Sequence, residues 1–113
     1  MEENWILEPE VGDILYTPRN PSFYKVVKVS KTQITFGRIP KIVERVDYDG
    51  DGNELFVWYE PDVNATPSTK TYRRKFEHLE PDEEYFAFIS PSQGTATLWD
   101  TTPKMVFGRD NQR

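Results

Sequence analysis

Three short extended segments within residues 12–39, separated by turn residues, constrain most strongly how this chain can fold. β-Branched and aromatic residues dominate each segment, and these residue types suit the pleated, half-buried surface of a sheet. Pro18 and Pro21 end the first segment, because proline has no backbone N–H to donate to a neighbouring strand. The second and third segments are joined by residues 30–33, a connection short enough for a hairpin.

The alternation of side chains along these segments predicts which residues share a face. In the second segment it places Tyr24, Val26 and Lys28 on one face and Phe23, Lys25, Val27 and Val29 on the other. Gly37, near the end of the third segment, suits a bulge or a sharp bend that would help a small barrel to close. A strand, a long loop and a tight hairpin resemble the opening of SH3-like and Tudor-like barrels.

The remainder of the chain continues in short extended segments. Alternating runs at residues 41–48 and 54–61 flank two Asp-Gly pairs, which supply the positive φ angles of a hairpin turn. Further strands are predicted at 71–76, 85–90, 95–99 and 104–107, and residues 81–84 could form one helical turn. We therefore expect an all-β fold, a small SH3-like or Tudor-like barrel with extra hairpins. We expect a single domain over residues 1–113, with a lead-in at 1–10 and a frayed tail at 108–113.

Composition excludes several classes of protein. The chain has no cysteine, so disulfides, thiolate metal sites and cysteine nucleophiles are ruled out. The sequence shows neither a signal peptide nor an apolar run of the ~20 residues that a membrane span requires. These features lead us to expect a cytoplasmic protein. A net charge of -5 argues against a dedicated duplex-DNA-binding protein but leaves room for a local basic patch.

Catalytic motifs are absent from the sequence. It contains one histidine, His78, and lacks a glycine-rich phosphate loop, a His-Glu metal motif and a Gly-x-Ser-x-Gly elbow. Glu83 and Glu84 are adjacent, so on a strand they would face opposite ways. We expect a protein that is not an enzyme and that needs no cofactor.

The Asp-Gly turn also has the spacing of a calcium loop. Asp47, Asp49 and Asp51 match positions 1, 3 and 5 of an EF-hand loop. Trp58 stands where that loop needs a bidentate glutamate, and no flanking helices are predicted. The pattern favours a turn over a calcium site.

Two kinds of binding partner fit the distribution of aromatic and charged residues. A protein partner with a basic groove would meet exposed aromatic rings and acidic loops. The candidate contacts are Tyr16, Tyr24, Trp58, Tyr59, Asp49, Asp51, Glu83 and Glu84. Each of the four aromatic residues is equally a candidate for the core.

The alternative partner is single-stranded nucleic acid, with aromatic rings stacking on bases and cations neutralising phosphates. Its candidate residues are Lys25, Lys28, Tyr72, Arg73, Arg74 and Lys75. The basic triplet at 73–75 also fits a solvated edge strand that its charges protect from aggregation. A third interpretation, a Tudor-like cage for a methylated lysine, needs three aromatic rings that converge on one groove.

Four strings in the sequence together resemble a group of small uncharacterised proteins encoded by bacteriophages and plasmids. They are GDIL at 12–15, SFYKVVKV at 22–29, RRK at 73–75 and ATLWD at 96–100. Members of the group end in a Trp-Asp-Gly-Lys-Pro turn, where this chain has Thr101 and Thr102. The resemblance implies an accessory protein of a mobile element that binds and blocks a host enzyme or defence complex, as anti-CRISPR proteins do.

Overall fold

The computed structural model describes residues 8–18, 21–78 and 84–107, and these residues form nine β-strands. The strands are β1 (Ile14–Thr17), β2 (Ser22–Val29), β3 (Gln33–Ile39), β4 (Lys41–Tyr48), β5 (Glu54–Pro61), β6 (Thr71–His78), β7 (Tyr85–Ser90), β8 (Gly94–Leu98) and β9 (Lys104–Phe107). The all-β prediction is therefore confirmed. The helical turn expected at 81–84, the tail and most of the lead-in lie outside the described residues.

Six strands form a closed antiparallel barrel, in the order β1-β2-β3-β6-β7-β8. The pairing of Leu15 with Leu98, between β1 and β8, closes it. The remaining strands form a separate antiparallel sheet in the order β4-β5-β9. This sheet contains the hairpin predicted around the Asp-Gly pairs.

Large apolar side chains fill the inside of the barrel. The buried core consists of Leu15, Tyr24, Val26, Ile34, Phe36, Tyr85, Ala87, Ile89 and Ala96. Both buried tyrosines have partners for their hydroxyl groups: Tyr24 donates to Gln93 at 2.6 Å and Tyr85 donates to Asp13 at 2.7 Å. Burial makes the largest contribution, and the hydrogen bond to Asp13 the second largest, to raising the pKa of Tyr85 far above its usual range. The interior therefore has no free polar atom at these two rings.

A second core lies between the barrel and the three-stranded sheet. Its buried members are Phe23, Ile39, Val57 and Tyr59, with Ile14, Tyr16, Val46, Ala65, Trp99 and Val106 packed against them. One face of the three-stranded sheet is thus covered by the outside of the barrel. No other strand of the described residues covers the opposite face of that sheet.

The predicted faces of β2 are wrong beyond Val26. A register shift between Val26 and Lys28 places a bulge there, so Val27 and Lys28 are both exposed and Val29 returns to the core. Gly37 is not the bulge, since it pairs in register with Lys25 on β2.

Two further expectations need correction or explanation. A Cβ at Gly37 would lie 2.9 Å from the carbonyl oxygen of Ser68, so glycine is needed there for the approach of the 62–70 loop. The edge-strand interpretation of residues 73–75 holds only in part: β6 lies between β3 and β7 in the barrel, but residues 73–75 pair with β3 alone, and the pairs with β7 are confined to residues 76–78.

Candidate functional site

The uncovered face of the three-stranded sheet carries five apolar side chains, which we call the outer face. They are Ile42, Phe56, Trp58, Met105 and Phe107. Cross-strand pairing places Trp58 beside Met105 and Phe56 beside Phe107, whose rings lie 5.5 Å apart. Met105 is 42% exposed and Phe107 is 53% exposed. Large, exposed apolar side chains that lie together on adjacent strands mark a surface suited to binding a partner.

Polar contacts fix the indole ring at the centre of the outer face. Nε1 of Trp58 donates to Oδ2 of Asp47 at 2.8 Å, and Nε of Arg45 lies 3.2 Å from Oδ1 of the same carboxylate. The Arg45 guanidinium sits 4.7 Å from the centroid of the Trp58 ring. Three residues on neighbouring strands are therefore ordered before any partner arrives.

Acidic residues outnumber basic ones around the outer face. Residues 41–61 contain six acids and two bases. Both bases are engaged within the chain: Arg45 as described, and Lys41, whose Nζ lies 4.3 Å from the Tyr59 ring centroid. Burial, with a smaller contribution from Arg38, lowers the pKa of Lys41. The charge left for a partner on this hairpin is negative.

The barrel carries the opposite charge on the strands β2, β3 and β6. Residues 22–39 and 71–78 contain seven lysines and arginines and one acid, a formal charge of +6 in a chain of -5. Lys28 on β2 and Arg73 on β6 both pair with Thr35 on β3. Lys75 pairs with Gln33. We call the exposed cations Lys28, Lys31, Arg73 and Lys75 the basic face.

A shallow cleft of about 680 Å³ opens beside the basic face. Its lining residues are Lys31, Thr32, Arg74, Lys75, Phe76, Glu77 and Phe88. Phe88 lies on β7 and is 52% exposed, whereas its neighbours Ala87 and Ile89 are buried. An exposed aromatic ring therefore stands next to lysine side chains.

No protein-family model matches the sequence, and no curated protein or solved structure matches it significantly. The described residues contain no helix long and apolar enough to cross a membrane.

The structure removes two of the aromatic contacts predicted for a protein partner. Tyr24 is fully buried in the barrel and Tyr59 is 2% exposed in the second core, so neither ring can reach a partner. Tyr16 is half-buried between the layers, and Nζ of Lys104 lies 4.5 Å from its ring centroid. Trp58 alone of the four lies on the outer face.

The predicted acidic contacts lie apart from one another. Asp49 and Asp51 are exposed in the β4–β5 turn, where Oδ1 of Asp49 accepts from the backbone N–H of Asp51 and of Asn53. Glu84 is half-buried before β7, and Glu83 lies outside the described residues. Over the described ranges, no three carboxylate or histidine side chains group as metal ligands. Of the three residues with calcium-loop spacing, Asp49 and Asp51 lie in the turn, whereas Asp47 lies on β4 and contacts Trp58 and Arg45.

The predicted nucleic-acid residues divide into engaged and free ones. Tyr72 stacks on Phe36 at 5.7 Å and contacts Tyr24, so it is no open platform for a base. These three rings converge inside the barrel and not at an exposed groove of the kind a methyl-lysine cage needs. Arg74 donates from Nε and Nη2 to the carbonyl oxygen of Ile89.

The remaining four nucleic-acid candidates differ in whether the side chain is engaged within the chain or exposed to solvent. Nζ of Lys25 donates to the carbonyl oxygen of Val63 at 3.0 Å, which ties it to the 62–70 loop. Arg73 and Lys75 are exposed, as is Lys28.

Sequence reasoning missed several residues of these surfaces. Along β5, Phe56 is two residues from Trp58 and so lies on the same face. Along β7, Phe88 lies on the face of Phe86, opposite to that of the buried residues Tyr85, Ala87 and Ile89. That alternation was available in the sequence. Met105 and Phe107 join the outer face only because β9 pairs with β5, a contact between residues about fifty positions apart.

Proposed function

We propose that this protein is a non-enzymatic binding protein that docks a basic protein surface on the outer face of its three-stranded sheet. The observation that carries the proposal is the fixed Trp58 ring among exposed apolar side chains. Aromatic residues at the centre of a surface, when already ordered, contribute most of the binding energy of protein interfaces.

The charge around the outer face supports a basic partner. The β4–β5 hairpin has an excess of four acids over bases, and its bases are already in contact with aromatic rings. A partner that presents lysine or arginine beside apolar side chains would meet complementary charge. Such a partner would bind more weakly as salt concentration rises.

The biological setting of the proposal comes from the resemblance to proteins of bacteriophages and plasmids. On that basis the protein acts in the cytoplasm of a bacterial host, where it occupies and blocks a host enzyme or defence complex. Surface occupation of this kind needs shape and charge complementarity and no reactive group.

Affinity capture from nuclease-treated host lysate tests the proposal. The bait is the tagged wild-type chain, compared with Met105→Ser/Phe107→Ser, which removes apolar area from the outer face. Phe88→Ser is the matched control, because it removes an equally exposed ring from the barrel. We expect one stoichiometric basic protein with wild type and with the control, and its loss with the double variant. A partner retained by the double variant would contradict the proposal.

A further inference from the structure

We infer that the basic face and the cleft beside it form a second binding site, which takes single-stranded nucleic acid. The site lies on the barrel, on strands that take no part in the three-stranded sheet. It is therefore separate from the outer face.

The arrangement of the basic face suits a phosphate backbone. Lys28 and Arg73 flank Thr35 on either side, and neighbouring strands lie about 4.8 Å apart. The two cations thus stand roughly 10 Å apart across a small uncharged side chain. Lys75 pairs with Gln33 in the same way, and Lys31 extends the row from the hairpin loop. A chain of phosphates can follow this track with its charges neutralised.

The exposed ring of Phe88 favours single-stranded nucleic acid over other anionic ligands. Its ring is half exposed in a cleft that Lys31 and Lys75 also line. Stacking of a base on an aromatic ring requires a base that is unpaired and unstacked from its neighbours. A duplex keeps its bases inside, and an acidic peptide has no planar base to stack. The combination of ring and cations therefore favours single-stranded DNA or RNA.

One acidic residue stands in the cleft. Glu77 lines it together with Lys75 and faces the same side of β6. A carboxylate at this position repels phosphate. Replacing it with glutamine removes the repulsion and keeps the shape of the side chain, so nucleic-acid affinity should rise.

Fluorescence anisotropy with labelled oligothymidylate and oligouridylate of about 15 nucleotides tests the inference. At about 50 mM salt we expect binding that weakens with salt, with a slope of log K against log salt near -3 for four phosphate contacts at about 0.7 each. Arg73→Ala/Lys75→Ala should reduce the slope by about 1.4. Lys104→Ala, which removes a cation from the three-stranded sheet, should leave the slope unchanged. The two oligomers show whether the site prefers DNA or RNA.

The ring and the carboxylate are tested separately from the charge. Phe88→Ala should weaken binding about 5- to 150-fold, and Phe88→Trp should restore it. Glu77→Gln should strengthen binding several-fold. The wild-type protein should bind an abasic oligomer of equal length about as weakly as the Phe88→Ala variant binds oligothymidylate. No binding at about 50 mM salt, equal binding of the abasic oligomer, or equal binding of polyglutamate would each overturn the inference.

Discussion

Trp58 and Asp47, on neighbouring strands of the three-stranded sheet, are joined by a 2.8 Å hydrogen bond from the indole Nε1 to the carboxylate Oδ2. The bond orients the largest aromatic ring of the outer face. Because Arg45 lies against both the carboxylate and the ring, removal of Asp47 frees two side chains together.

The first prediction concerns this hydrogen bond. Asp47→Ala should lower the free energy of unfolding by about 1 kcal/mol, the usual net contribution of one such bond. It should weaken capture of the protein partner about fivefold, since the ring must then be ordered on binding. Urea unfolding and a titration of the captured partner measure the two effects. Glu44→Ala, which removes an exposed acid from the same strand, is the control. An Asp47→Ala variant with unchanged partner affinity would show that ordering of Trp58 is irrelevant to docking.

The second prediction concerns Thr101, which has φ of 67° in the turn before β9. A β-branched residue in the left-handed region is strained, at a cost of about 1–2 kcal/mol. Glycine, which has no Cβ and adopts this region readily, should relieve the strain. Thr101→Gly should raise the free energy of unfolding by about 0.5–1 kcal/mol, after loss of the hydrogen bond from Thr101 Oγ1 to the Asp100 carbonyl oxygen.

Gly52, in the turn between β4 and β5, provides the reverse test, in which a side chain is added to a residue in the left-handed region. It has φ of 83° with open space around the position of a Cβ. Gly52→Ala should therefore destabilise by about 1 kcal/mol through backbone strain alone. Denaturation that found both variants unchanged would mean that neither turn holds a left-handed residue in solution.

Local residue patterns predicted the nine strands well, because each depends on its own alternation and turn residues. The Asp49-Gly50-Asp51-Gly52 hairpin is an example: the Asp49 carboxylate accepts two backbone N–H groups within four residues of itself. The bulge at Val27 was not predictable in this way. It lets Val29 return to the core, and that requirement comes from the packing of the closed barrel.

The candidate surfaces were less predictable than the strands. Tyr24 and Trp58 both occur among alternating apolar residues, and nothing local separates a ring inside a barrel from one on an outer sheet. The difference arises because β4 and β5 leave the barrel and pair with β9. Gly37 similarly lies under Ser68 of a distant loop.

The third prediction concerns pH and Asp100. Hydrogen bonds from Lys104 and then Thr102 lower the pKa of Asp100 from 3.8 to about 2. A carboxylate whose pKa is lowered by folding stabilises the folded state at pH values above its pKa in the unfolded chain. This contribution disappears as pH falls from about 4 to about 2. Because the carboxylate is largely exposed, we expect only about 0.5–1 kcal/mol.

A comparison with Asp100→Asn isolates this contribution. The variant should be less stable than wild type at pH 7 by about that amount, and the difference should shrink as pH approaches about 2. Guanidinium unfolding would screen the ion pair, so urea is the denaturant of choice. A difference that is constant between pH 7 and pH 2 would assign the effect to lost hydrogen bonds and not to charge.

The fourth prediction concerns Gly37, where β3 passes beneath the 62–70 loop. A Cβ there would lie 2.9 Å from the carbonyl oxygen of Ser68 and 3.0 Å from Cβ of Pro67, and the backbone N–H of Ser68 already donates to Arg38. Gly37→Ala must push this backbone away from the barrel, so we expect a loss of about 1–3 kcal/mol in the free energy of unfolding. Gly50→Ala is the matched control, because nothing lies within 4 Å of its added Cβ, and it should change stability by less than about 0.5 kcal/mol. Equal stability of the two variants in urea would contradict the close packing of the loop on β3.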